Sequence, residues 1–303
     1  MNDFPWLTTI AVVPLVGAVV VGFLPASRAA LAKQIALGVS FVVLALTLAM
    51  ALQFDAGSTE PFQFTEQTEW IPQFGISYAV GIDGIALVLI ALLSILTPVA
   101  LLADWKVLSA GKHRVSTYCA MVLALEGIVV FVFAATDLFL FYVAFEVMLI
   151  PIYFLIGMFG GAQRSYAAVK FLLYSLLGGL ILLAGVISLY VVSGDELGQG
   201  TFNVLALAEL SIDPTTERWL FAAFFFAFAV KAPMVPVHTW LPDVTAAGTP
   251  GTNTLLVGVL DKVGTFAMLR LCLPLVCVFP DTSAIVAVQR SKYRSLIHRG
   301  VPT

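Results

Sequence analysis

The chain has 303 residues, 60% of them hydrophobic and only 11% charged, with a mean hydropathy of +1.02. A water-soluble domain of this length cannot hide so much apolar surface in one core, which excludes a soluble enzyme or a nucleic-acid-binding module. The net charge of −3 carries little information, because a bilayer-embedded chain is organised by where its charges fall rather than by their sum.

A spanning helix needs about 20 mostly apolar residues, since in lipid every backbone group must be satisfied within its own segment. Eight stretches meet that requirement: 6–24, 34–54, 84–103, 115–135, 137–158, 167–192, 219–242 (interrupted) and 252–276. The expected fold class is therefore all-α and polytopic. The first stretch is kept as a helix rather than a cleaved signal, because Asp3 is the only charge ahead of it and Pro25-Ala26-Ser27-Arg28 reads as a helix end.

The connections alternate in charge. Arg28 and Lys33 follow the first span, Lys106, Lys112 and Arg114 the third, and Arg164 and Lys170 lie between or near the fifth and sixth. The opposite connections carry Asp55, Glu60, Glu66 and Glu69, then Asp137, then Asp195, Glu196, Glu209, Asp213 and Glu217, with Arg218 their only basic residue. The positive-inside rule then puts the N-terminus outside. Cys119, Cys272 and Cys277 have no metal-ligand spacing and read as packing residues, and no phosphate loop or nucleophile elbow is present.

Four ionisable residues sit near the middle of predicted spans: Glu126, Glu146, Lys231 and Lys262. Each costs about 2.5–3.5 kcal/mol at a helix centre on insertion scales, so each must pair, hydrate or neutralise. Two readings are open. In one, two glutamate–lysine ion pairs merely fix helix register, although a buried pair seldom repays its desolvation. In the other, the groups relay protons: burial favours a neutral lysine, a nearby carboxylate favours the ammonium, and a shift of a few ångströms switches loading to release.

The seventh span supports the relay. AFAVKAPMVPVHTWLPD places Pro233 and Pro236 beside Lys231, and the missing amide protons should strand the carbonyls of Ala229 and Ala232. Non-helical backbone at membrane depth is tolerated where it is buried in protein or lines a hydrated cavity. A plain proline kink is the other reading. His238 lies beyond the break and can pass a proton, or simply sit at the interface beside Trp240. Lys170 can act in the same path or snorkel to the surface. Asp261 points about 100° away from Lys262 on a helix and is not automatically its partner. Arg270 is expected near an interface.

FYVAFEVMLIPIYFLIG, RSYAAVKFLLYSLLGGLILLAGVISLY, AFAVKAPMVPVHTWLPD and LDKVGTFAMLR, in this order, resemble the proton-pumping antiporter-like subunits of respiratory complex I, in particular the subunit M family of NADH-quinone oxidoreductase in actinobacterial form. The resemblance implies that Glu146 is the helix-five glutamate, Lys231 the broken-helix lysine it modulates and Lys262 the central relay lysine. It further implies that Glu126 is an acidic residue of helix four and His238 the histidine of the HTWLP stretch. The implied organisation is three N-terminal helices over 1–114, the first of two inverted five-helix repeats over 115–276, and an atypical basic tail over 277–303. The ending VAVQRSKYRSLIHRGVPT departs from the family pattern and is expected to reflect truncation or a frameshift.

The function so implied is proton translocation in the membrane arm of NADH:quinone oxidoreductase, in the bacterial inner membrane. The other membrane-arm subunits, the lipid bilayer and protons would be its partners. No cofactor is expected on this chain; NADH, flavin, iron-sulfur clusters and quinone would belong to partner subunits. Two rivals stay open: a subunit of a multi-subunit sodium/proton antiporter, and a structural remnant that does not transport.

Overall fold

The computed structural model describes residues 4–106 and 115–275. Helices α1 (Trp6–Gly22) and α2 (Ala29–Leu52) open the chain, joined by a single 3-10 turn at Ala26–Arg28. The acidic connection that follows is not a loop. It forms an antiparallel hairpin of β1 (Gln63–Ile71) and β2 (Ile76–Ile82), which corrects the all-α expectation. QFTEQTEWI and ISYAVGI are rich in β-branched and aromatic residues, which fit a pleated, half-buried surface. The hairpin turns at Gly75, whose φ of +65° suits glycine alone; a Cβ there would also sit 2.7 Å from the carbonyl oxygen of Gly200.

Helix α3 (Gly84–Ala103) is capped by Asp83, whose Oδ1 accepts from the amide of Ala86 at 2.7 Å. Helix α4 (Val115–Ala134) follows, then α5 (Leu138–Val147) and α6 (Leu149–Phe159), which form one apolar rod with a kink at Met148. Pro151 explains the kink, since it lacks the amide proton that would bond the Val147 carbonyl. Helix α7 (Arg164–Leu197) is longer than the expected span, running 34 residues until Gly198 adopts φ +75°. A short helix α8 (Val204–Leu207) precedes α9 (Pro214–Lys231), which starts with Asp213 as cap and proline in the first turn.

The chain then turns through residues 232–239 into α10 (Trp240–Ala247). The last described rod comprises α11 (Pro250–Leu255), a π-helical turn at Leu256–Leu260, α12 (Asp261–Ala267), a second π-helical turn at Met268–Cys272, and α13 (Leu273–Leu275). Among the described residues, five helical segments are long and apolar enough to cross a membrane: Ala26–Leu52, Gly84–Ala103, Val115–Ala134, Leu138–Phe159 and Arg164–Leu197. Helix α1 is apolar but shorter, at 17 residues.

Helix α4 is the hub, with 72% of its apolar window buried and α1, α2, α3, α5 and α6 packed around it. Helices α1 and α4 cross at backbone distance, because a Cβ on Gly127 would lie 2.6 Å from the carbonyl oxygen of Ala11. Helices α7, α9, α10 and α12 form a second group beside this one, with α9 packed on α7 and α12, and α10 on α7.

The hairpin is stitched to the bundle at residues 136–138. Thr136 donates its amide to Ala79, Leu138 to Phe202, and the amide of Ser77 reaches Oδ2 of Asp137 at 3.1 Å. Arg270, expected at an interface, is buried instead. Its guanidinium bonds the carbonyls of Phe133 (2.8 Å) and Gly81 (3.2 Å) and lies 4.6 Å over the Phe62 ring, tying the last rod to α4 and to the hairpin. The basic tail, with Arg290, Lys292, Arg294 and Arg299, lies outside the described residues, as do Lys112, Arg114 and Cys277.

Candidate functional site

Lys231 is the last residue of α9 and is buried, with 4% of its surface exposed. The sequence leads one to expect stranded carbonyls at Ala229 and Ala232; the structure shows that of Ala229 occupied. The Phe228 carbonyl accepts from the amide of Ala232 (2.8 Å) and the Ala229 carbonyl from the amide of Met234 (2.9 Å). The Val230 carbonyl accepts from the indole N–H of Trp240 (2.9 Å). The turn thus re-satisfies the backbone that Pro233 disrupts, and the freed-carbonyl expectation for Ala229 is corrected. The lysine ammonium is left to aromatic faces, with the Phe145 ring centroid at 4.9 Å and that of Phe171 at 5.7 Å.

Glu146 precedes the Met148 kink by two residues and is half-buried on α5. It lies within electrostatic reach of Lys231 but not in ion-pair contact: Glu146 Oε1 and Lys231 Nζ are both buried and neither has a hydrogen-bond partner among the described residues. A contact pair that fixes register is therefore not what joins them. Two opposite charges within electrostatic reach but out of contact are an arrangement in which a proton can change owner without a salt bridge first being broken.

The other expected residues are placed as follows. Lys170, at the start of α7, bonds Asp243 of α10 at 2.6 Å, so it is tied across the turn rather than free to snorkel. His238 is half-buried within the turn, its Nδ1 buried without a partner among the described residues. Glu126 is buried in the middle of α4, away from this group on the side that faces α3, where Thr97 is its polar neighbour. Lys262 differs most from expectation. Its side chain lies on the outer surface of the described chain and donates to the Val257 carbonyl at 3.2 Å.

The helical register explains Lys262. A Cβ on Gly264 would meet the Ala232 amide nitrogen at 2.6 Å and the Phe228 carbonyl oxygen at 2.8 Å, so that residue faces the end of α9. Two residues earlier is about 200° around the helix, which turns Lys262 outward. Asp261 is drawn partly inward in its place, with Oδ1 buried.

A polar cluster at the α3–α4 end escaped the sequence reading. Asp104, fully buried, accepts from Tyr118 Oη (2.5 Å), from Thr249 Oγ1 (2.5 Å) and from the amide of Gly251 (3.0 Å), joining α3, α4 and the start of α11. Nearby, buried Lys33 donates to the Trp105 carbonyl at 2.6 Å. An aspartate at the junction of an apolar span and a basic connection was the available signal. Cys119 and Cys272 are both buried, and no group of potential metal ligands occurs among the described residues.

The family model described as NADH:quinone oxidoreductase/Mrp antiporter, transmembrane, matches residues 135–290, a stretch that contains Glu146, Lys231 and Lys262. The chain belongs to this family. NADH-quinone oxidoreductase subunit M of Mycobacterium tuberculosis is 46% identical over 93% of this chain and 56% of its own length. NAD(P)H-quinone oxidoreductase chain 4 1 of a Picosynechococcus species is 37% identical over 89% of this chain and 49% of its own length. The chain thus spans about half the length of the curated relatives it matches.

Among solved structures, a chain of respiratory complex I from Thermus thermophilus superposes with a TM-score of 0.77 at 27% identity, over 92% of this chain and 55% of that one. A chain of the Mrp complex from Dietzia superposes with a TM-score of 0.72 at 21% identity, over 90% of this chain and 29% of that one, and shares the fold. The antiporter-like fold of this NADH:quinone oxidoreductase/Mrp antiporter family member places a lysine at the end of α9 and a glutamate beside the α5–α6 kink within electrostatic reach of each other. Of the residues expected from its sequence, Glu146 and Lys231 are brought together, Lys170 and His238 flank them, and Glu126 and Lys262 are not joined to the group.

Proposed function

We propose that this chain translocates protons as part of a subunit M of a bacterial NADH:quinone oxidoreductase, in the membrane arm beside the other membrane-arm subunits. The observation that carries the reading is the buried Glu146–Lys231 couple, in electrostatic reach yet without a contact ion pair. In this reading eight spans cross the membrane from an outside N-terminus, the seventh being α9, the turn and α10, and residues 115–276 are one five-helix repeat. Glu146 sets whether Lys231 holds its proton, Lys170 and His238 serve the turn side, and Glu126 and Lys262 connect to neighbouring surfaces. The chain does no redox chemistry; NADH, flavin, iron-sulfur clusters and quinone are bound by partner subunits.

The test is proton uptake by vesicles containing the assembled complex, driven by NADH oxidation and read with an internal pH dye. Lys231→Ala and Glu146→Gln are each expected to abolish most uptake while the complex still assembles. Near-normal uptake by both would reject the relay. Uptake that depends on external sodium rather than on NADH would instead favour the sodium/proton antiporter.

A further inference from the structure

The relay reading uses α5 and α9, and of α7, the helix that packs against both, only Lys170 near its start. Helix α7 presents Phe171, Ser175 and Gly179 on one buried face at i, i+4 and i+8. The Phe171 ring lies against the Lys231 ammonium. Gly179 receives the Glu146 carboxyl: a Cβ at that position would fall 2.0 Å from Oε1 and 2.7 Å from Oε2. Ser175 is one turn from each, which sets it between the two charged groups along the helix.

Ser175 and, in the first turn of α4, Ser116 are the buried serines among the described residues whose hydroxyls lack a partner. A buried serine in a helix normally donates back to a carbonyl three or four residues earlier. Ser40 does so to Leu37, Ser94 to Ala91, and on α7 itself Ser188 to Ala184 and Ser193 to Tyr190. Ser175, with 1% exposure, does not, and its Oγ has no hydrogen-bond partner among the described residues. Three buried polar atoms without a hydrogen-bond partner among the described residues, Lys231 Nζ of α9, Ser175 Oγ of α7 and Glu146 Oε1 of α5, therefore border one face of α7.

We infer that Ser175 is a further proton-handling residue of this site, its hydroxyl linking Glu146 to Lys231 along the α7 face that Gly179 keeps open. The inference rests on the relay reading above. In the transfer, the protonated Glu146 gives its proton to the Ser175 oxygen as the Ser175 O–H proton passes to the neutral lysine amine. Serine ends as a hydroxyl, glutamate as a carboxylate and lysine as an ammonium, with no charge left on the bridge. The three groups are not in hydrogen-bond contact in the present arrangement; rotation about the Lys231 and Glu146 side chains closes the gaps, and the hydroxyl rotates to accept from one and donate to the other.

The experiment compares Ser175→Ala with Ser175→Thr in the assembled complex, reading NADH-driven proton uptake per unit of assembled complex. The alanine variant is expected to lose uptake several-fold and the threonine variant, which keeps the hydroxyl, to retain it. Equal behaviour of the two, whether both normal or both impaired, overturns the inference. If Lys231→Ala is inactive while Ser175→Ala is normal, only the serine bridge fails; if Lys231→Ala pumps normally, the relay itself fails. Gly179→Ala supplies an independent arm: the carboxyl infrared band that disappears in Glu146→Gln should shift, and adding Glu146→Asp, which shortens the side chain, should restore uptake. An unshifted band would show that Gly179 does not seat the carboxyl and would overturn that part of the geometry.

Discussion

The indole of Trp240 donates to the carbonyl of Val230 across the turn that ends α9, at 2.9 Å, while its ring lies 5.2 Å from that of Phe171. One side chain therefore closes the turn and braces the aromatic wall beside Lys231. Trp240→Phe keeps the wall but strands a buried carbonyl, at a cost of about 1–3 kcal/mol. The expected result is a lower thermal midpoint of the assembled complex with the proton yield per NADH partly preserved; an unchanged midpoint would deny Trp240 the bracing role.

Asp243→Asn should separate stability from transport. The Lys170–Asp243 pair is partly exposed, with side-chain accessibilities of 21% and 40%, so solvent screens it and assembly should hardly change. If the pair guards access to the turn, proton uptake falls in Asp243→Asn and in Lys170→Ala, and the double variant is no worse than either alone. Additive losses, measured as initial uptake rates, would mean that the two residues act separately.

Arg270→Met removes a buried cation that bonds two carbonyls from different elements, those of Phe133 and Gly81. Each abandoned acceptor costs about 1–3 kcal/mol, less what the hydrophobic replacement recovers. The hairpin should loosen first, so limited proteolysis is expected to cut between residues 60 and 80 faster than in the parent chain. Cleavage at the parent rate would show that the hairpin is held without Arg270.

Asp137 lies between two spans, where burial pushes its carboxyl above the ordinary carboxylate value and amide donors from Leu140, Ser77 and Phe139 only partly offset this. A folded-state value above the unfolded one means that its contribution to stability is fully present below the unfolded value of 3.8 and is lost as pH rises through the folded one. The junction should therefore tighten on mild acidification. Amide hydrogen exchange at Thr136, which donates to the Ala79 carbonyl across this junction and not to the carboxylate, corrected for its intrinsic pH dependence, is expected to slow as pH falls from neutrality towards that range, and a constant corrected rate would contradict the burial argument.

Much of this protein was legible because lipid leaves a chain few choices. Hydropathy located the long helices, and α9 ends at Lys231, where the prolines begin. What sequence hid was mostly angular. Lys262 reads as interior because it sits mid-span, yet its register against Gly264 turns it outward. The hairpin was hidden by its charges, since Glu66 and Glu69 suggested a loop although the intervening residues favour strands. Ser175 and Gly179 carry no charge, and their place in the site appears only when α5, α7 and α9 are seen together.

The crossing of α1 and α4 also sets a schedule. Gly127 lets the backbone of α1 approach at Ala11, but the two residues are separated by more than a hundred positions in the chain. At roughly 5–20 residues per second of synthesis, α1 waits on the order of 5–20 s before its partner emerges. During that interval the surface that α1 will present to α4 is held by lipid or by the insertion machinery, with α2 its earlier neighbour in the fold.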